Sequence, residues 1–148
     1  MGIPKAITEF KFTTALTYAT GTADRNGAIL DMDGYRGVLM VVQLLAVAPG
    51  GVNSIKAQQD TAANMGTAAD LVGTGITIAD DDDNQVFIID LYEPVERYVR
   101  LVVDKDASNA CAESAMYIQY GARNRPTTPT VTDLVTYERH MSPAEGTA

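Results

Sequence analysis

The sequence has no tryptophan, a single cysteine (Cys111), a single histidine (His140) and few cations. One cysteine excludes an intrachain disulfide and any metal site built from cysteines. Cys111 reads instead as a small, semi-buried strand residue. No serine or acid stands near His140 in a recognisable motif, so no triad assembles around it. Eleven Lys and Arg against 19 Asp and Glu give a net charge of −8. That balance repels nucleic acid, and Arg97 with Arg100 and Arg123 with Arg125 are pairs rather than a basic patch. Long apolar runs are also lacking: residues 38–48 are interrupted by Gln43 and fall short of the ~20 residues that cross a bilayer. Residues 1–5 lack a basic stretch leading into an apolar run, so no secretory signal is expected. Gly73-Thr74-Gly75 precedes a strand pattern rather than a helix, so it is no phosphate loop. These absences set the expectation of a soluble protein made in a cytoplasm, with no cofactor, no metal, no catalytic site, no nucleic acid and no membrane among its partners.

What is present is β pattern. With 148 residues, 46% hydrophobic and 20% charged, the chain is long enough for one domain with its own core. The organising stretch is 97–106: Val99, Leu101 and Val103 alternate with Tyr98, Arg100 and Val102, which sets an aliphatic row against a core. Ala107-Ser108-Asn109 is small and polar, and Ala112, Met116, Ile118 and Tyr120 then resume on alternate positions. Together these predict an antiparallel hairpin at the centre of the domain.

The remaining strands follow from the same periodicity. Phe10, Phe12, Thr14, Leu16 and Tyr18 mark a first strand; Asn26-Gly27 and Asp33-Gly34 mark turns on either side of a short strand at 28–32. Residues 38–48 are apolar on both rows, so both faces of that strand need cover, one from the interior and the other from an arm or another subunit. Ser54–Gln59 alternates as a half-exposed strand near an edge. Residues 60–74 predict a long surface loop with one helical turn at 68–72. Brief strands at 75–79 and 85–92 flank an acidic turn, Asp80-Asp81-Asp82-Asp83, and Glu93-Pro94 breaks the ladder. The proline- and threonine-rich run after Gly121 leaves the sheet in extended form. The predicted fold is all-β: an antiparallel β-sandwich of about eight strands, jelly-roll-like, over residues 10–122, with an N-terminal arm (1–9) and an extended C-terminal arm (123–148).

Candidate chemistry is sparse. Asp80–Asp83 offers oxygens for calcium, but adjacent aspartates point in different directions and a solvated turn is the simpler expectation. Asp31-Met32-Asp33-Gly34 and residues 104–109 are equally explained by turn chemistry. Glu93, Glu96 and Glu113 are the acids available for a carboxylate pair. Tyr92, Tyr98, Tyr117 and Tyr120 are the candidates for an aromatic, sugar-binding platform.

At Arg97-Tyr98-Val99-Arg100-Leu101-Val102-Val103-Asp104 and Tyr120-Gly121-Ala122-Arg123-Asn124-Arg125-Pro126, within 75–129, the chain resembles cement, or head-decoration, proteins of tailed double-stranded DNA bacteriophages. The resemblance implies a β-sandwich on the capsid exterior of a virion that bridges neighbouring major capsid protein subunits. It also implies a homodimer or homotrimer on a symmetry axis. Its interface would draw on the arms: Ile3, Pro4 and Phe10 at one end, and Arg123, Arg125, Pro126, Pro129, Val131, Leu134 and Tyr137 at the other. The alternatives are a glycan- or calcium-binding β module and another virion component such as a tail protein.

Overall fold

The computed structural model describes residues 6–127, 129–142 and 144–147. A single helical turn, α1 (Ala6–Glu9), precedes β1 (Lys11–Gly21), β2 (Arg25–Asn26), β3 (Leu30–Asp31), β4 (Gly37–Val47) and β5 (Asn53–Asp60). Then come β6 (Ala69–Asp70), β7 (Ile76–Ile78), β8 (Val86–Tyr92), β9 (Tyr98–Asp104) and β10 (Cys111–Tyr120), and a 3-10 turn at Val131–Asp133. The chain is all-β and its ladders are antiparallel. One sheet has the order β1-β10-β4-β8; in the other, β9 and β5 are central, β9 flanked by β2 and β3 and β5 by β6 and β7.

The two sheets share one core. Val38, Met40, Val42 and Leu44 from β4 meet Ile55 and Ala57 from β5 and Val99, Leu101 and Val103 from β9, all with no exposed surface. Each aliphatic side chain so buried contributes about 1.5–3 kcal/mol. The β-branched run of β4 suits a pleated strand held on both sides. Gly37 opens it because a side chain there would run into the Tyr120 ring.

The hairpin expected over 97–121 does not form. β9 and β10 lie in different sheets, β9 paired with β5, β2 and β3, and β10 with β1 and β4. Alternation identifies the residues that share a face; it does not choose the ladder partner. The link between them is fixed by side chains at the sheet ends: Lys105 N donates to Asp24 Oδ1 at 2.6 Å and Asp106 N to Asn53 Oδ1 at 2.9 Å. What joins β9 to β10 instead is Tyr117, whose hydroxyl accepts from Leu101 N at 2.8 Å and donates to Ala28 O at 2.9 Å. Burial pushes its phenol well above the ordinary range.

β10 is also turned over relative to its apolar alternation. Cys111, Glu113, Ala115, Tyr117 and Gln119 face inward, while Met116 is 38% exposed and Ile118 and Tyr120 are half-buried. The interior accepts Glu113 because Lys105 Nζ lies 2.7 Å from Oε2 and Arg25 donates to Oε1 at 2.8 Å. Lys105 also donates to Cys111 O at 2.8 Å. A buried carboxylate persists only with such partners.

Two smaller expectations change. Asn26-Gly27 is no tight turn: Asn26 ends β2, and Gly27 is required because any Cβ would collide with the Tyr117 hydroxyl. β5 does lie near an edge, with only the short β6 and β7 outside it. No helical turn forms at 68–72, where β6 pairs with Gln58 and Gln59. That loop is held by Asp60, which accepts from Ala62 N and Thr67 N at 2.9 and 2.8 Å. These amides hold its carboxyl below the usual range.

Candidate functional site

The outer face of the β1-β10-β4-β8 sheet is the largest chemical anomaly on the described surface. Registers give its rows. Phe12, Ile118, Leu39 and Asp90 form one, Thr14, Met116, Val41 and Ile88 the next, and Ser114, Gln43 and Val86 a third. Of these eleven side chains only Asp90 is charged, and its carboxylate accepts from the Tyr120 hydroxyl at 2.5 Å. Burial, then this carboxylate, pushes the Tyr120 phenol up to about 12. Val86 and Ile88 are 51% and 53% exposed. A depression of about 470 Å³ opens between β1, β10 and β4, with Thr14, Thr17, Gln43, Ser114 and Met116 in its walls. Beside it the register of β1 on β10 shifts between Thr14 and Leu16 and again between Leu16 and Ala19, which interrupts the row of side chains along that strand.

The anticipated arm residues collect elsewhere. Thr127 N donates to Thr8 O at 3.0 Å, Arg125 pairs with Glu9 at 2.6 Å, and Asp133 lies 3.6 Å from Lys11 Nζ. Thr13 Oγ1 donates to Asp133 at 3.4 Å and Thr14 Oγ1 to Leu134 O at 3.2 Å. Residues 8–9 and the described residues of 125–134 thus lie together along β1, bringing Arg125, Pro126 and Leu134 to one edge. Phe10 is 39% exposed just before β1, and Leu134, at φ 54°, is 66% exposed. Pro129 is half-buried, Tyr137 is 43% exposed, and Val131 opens the 3-10 turn. Arg123 stands apart, its N–H on Gly34 O at 2.8 Å. Ile3 and Pro4 lie outside the described residues.

The other candidate chemistries disperse. Asp83 accepts from Val47 N, Asp80 from Gly50 N and Asp82 from Ala79 N, at 2.7, 2.9 and 2.7 Å. Three carboxylates of the acidic turn are therefore spent on three separate backbone segments. No group of three His, Cys, Asp or Glu able to hold a metal ion occurs among the described residues. Asp31 takes a two-pronged contact from Arg97 at 2.9 and 2.7 Å, which holds its carboxyl below the ordinary range. Glu93 pairs with Arg36, Glu113 is interior, and His140 contacts Glu138 at 2.9 Å. Of the four tyrosines, Tyr117 is in the core and Tyr98 on the opposing sheet; only Tyr92 and Tyr120 are neighbours, across Gly37. The Cys111 thiol is buried, and desolvation, then Glu113, pushes it up.

Sequence periodicity marked one strand of the apolar face, through the doubly apolar 38–48, and missed Val86, Ile88 and Met116 as its companions. The interior ion cluster was missed as well, because Lys105 sits between two aspartates and reads as a solvated turn. No helix among the described residues is long and apolar enough to cross a membrane. Comparison with known proteins gives no relative: the sequence matches no family model and no curated protein.

Proposed function

We propose that the chain is a structural assembly protein of a tailed-phage virion, a head-decoration protein that binds the capsid exterior and cements major capsid protein subunits. The observation that carries an assembly role is the outer face of the β1-β10-β4-β8 sheet. An apolar, nearly charge-free surface of this size costs solubility unless another molecule covers it. The resemblance over 75–129 supplies the choice of a phage head.

The finer fold reading belongs with this proposal. If β2 with β3, and β6 with β7, each count as one interrupted strand, the body has eight. The first then pairs with the last, the second with the seventh, the third with the sixth and the fourth with the fifth, which is a long hairpin rolled into two sheets. This pattern supports a jelly-roll sandwich. Residues 8–9 and the described residues of 125–134 converge on β1, at one edge of the body, and that edge is our candidate for capsid contact.

Co-sedimentation with assembled heads tests the function. The full chain is expected to pellet at a fixed ratio to shell protein, and a chain lacking residues 127–148 to stay folded but decorate weakly. A folded full-length protein that stays in the supernatant refutes the reading.

A further inference from the structure

We infer that the occupant of the apolar sheet face is a second copy of this chain, the two β1-β10-β4-β8 sheets packing outer face to outer face about a two-fold axis that runs along the strands. The inference rests on the assembly reading above and names the partner at one surface. The chain's own C-terminal segment reaches this face at its β1 margin, where Thr14 Oγ1 donates to Leu134 O; its other described bonds run to α1, Lys11 and Thr13, which leaves the β10, β4 and β8 rows to another molecule.

Size fits first. Four strands about 4.8 Å apart and about seven residues long make a plane of roughly 450 Å². Side-chain relief places the accessible area between that plane and the ~800 Å² per partner of a standard interface. Charge fits next. A chain of net charge −8 repels its copy except where the contact is uncharged. This face is uncharged apart from Asp90, and the two-fold axis sends the two Asp90 side chains to opposite margins.

Shape decides the axis. An isologous contact needs each half of the patch to hold what the other half lacks. The depression lies mainly over β1 and β10, walled by Thr14, Thr17 and Ser114 and reaching Val41 and Gln43 of β4, while β8 carries the exposed Val86 and Ile88. Rotation about an axis between β10 and β4 lays β8 of one copy over β1 of the other. Thr14, Met116, Val41 and Ile88 share one cross-strand row. Ile88 of one copy therefore drops opposite Thr14 of its partner, and Val41 opposite Met116. The sheets then pack about 10 Å apart, as in an ordinary sandwich, with the usual twist offset.

Light scattering of the full chain without heads is expected to give twice 15.8 kDa over a dilution series. Ile88→Lys buries an unpaired charge in that contact and is expected to weaken association by roughly 100-fold. Its melting curve establishes folding, and Met116→Glu repeats the test should Ile88→Lys unfold. In a T14C/I88C double variant, oxidation is expected to give a covalent dimer. Within one chain the two positions are three strands, about 14 Å, apart, beyond disulfide reach. A monomeric mass at every concentration overturns the inference. So does a dimer that is indifferent to Ile88→Lys and is not captured by the 14/88 pair. Head binding is read separately: a dimer that ignores heads keeps this contact and removes the decoration role, and a monomer that binds heads does the reverse.

Discussion

The two sheets turn opposite kinds of surface to water. Outside β9 and β5, Lys56 lies 2.9 Å from both Asp70 and Asp104, Arg100 donates to Gln58 at 2.8 Å, and Gln58 donates to Asp70 at 2.7 Å. Outside β10 and β4, the corresponding positions are Met116, Ile118, Leu39 and Val41. Both sheets bury an apolar inner row, so folding alone does not require the second outer face to be apolar. The difference teaches that one face is finished by its own side chains and that the other is not, which is what the proposed second copy would supply.

The contrast has a counterpart in the interior, and the largest effect is expected there. Lys105→Ala would leave Glu113, whose side chain has no exposed surface, with Arg25 on Oε1 and no cation on Oε2, and is expected to cost about 3 kcal/mol in a denaturant titration. If polarity inside β10 were incidental, the loss would match a surface change. Tyr117→Phe comes next. It leaves Leu101 N and Ala28 O without partners, and a loss of about 1–3 kcal/mol is expected in the same titration.

Acid sharpens the comparison from the hydrogen-bonded side. The Asp31 and Asp70 carboxyls are held low, chiefly by Arg97 and by Gln58 respectively. A carboxyl whose folded value lies below its unfolded value contributes stability above the unfolded value, near 4, and loses it as pH falls through the folded one. Melting temperature is therefore expected to be flat in these groups from pH 7 to 5 and to drop below about pH 4. The smallest effects are expected on the outer faces themselves. Lys56→Ala should cost less than about 1 kcal/mol. Val41→Thr should leave the melt of isolated chains within about 1 kcal/mol while weakening self-association in the dilution series. Should Val41→Thr unfold the isolated chain, the apolar face would belong to the fold and the contrast would fail.

Legibility in the sequence followed chemistry that is local. β4 was readable because Val38, Met40, Val42 and Leu44 repeat without interruption, and β8 because Phe87, Ile89 and Leu91 do. β9 was readable as a strand but not as a member of its sheet, since nothing in Val99, Leu101 and Val103 prefers β5 to β10. β10 misled because its inward row contains Glu113 and Gln119, made tolerable by Lys105, Arg25 and the carbonyl of Asp31, residues distant in sequence. The acidic turn was legible as a turn. Its bonds to Val47 and Gly50 were not, because they depend on how the turn meets the end of β4 and the loop after it; the bond from Ala79 to Asp82 is local to the turn.

The first strand of the body finds its ladder partner only in the last, Lys11 opposite Gln119 and Gly21 opposite Cys111. On the ribosome, β1 and one side of β4 therefore wait, unpaired, until β10 has been made. Such long sequence separation slows closure and prolongs exposure of apolar strands to neighbouring nascent chains. Closure of the body waits on the synthesis of β10, and its yield in a cell depends on how crowded that synthesis is.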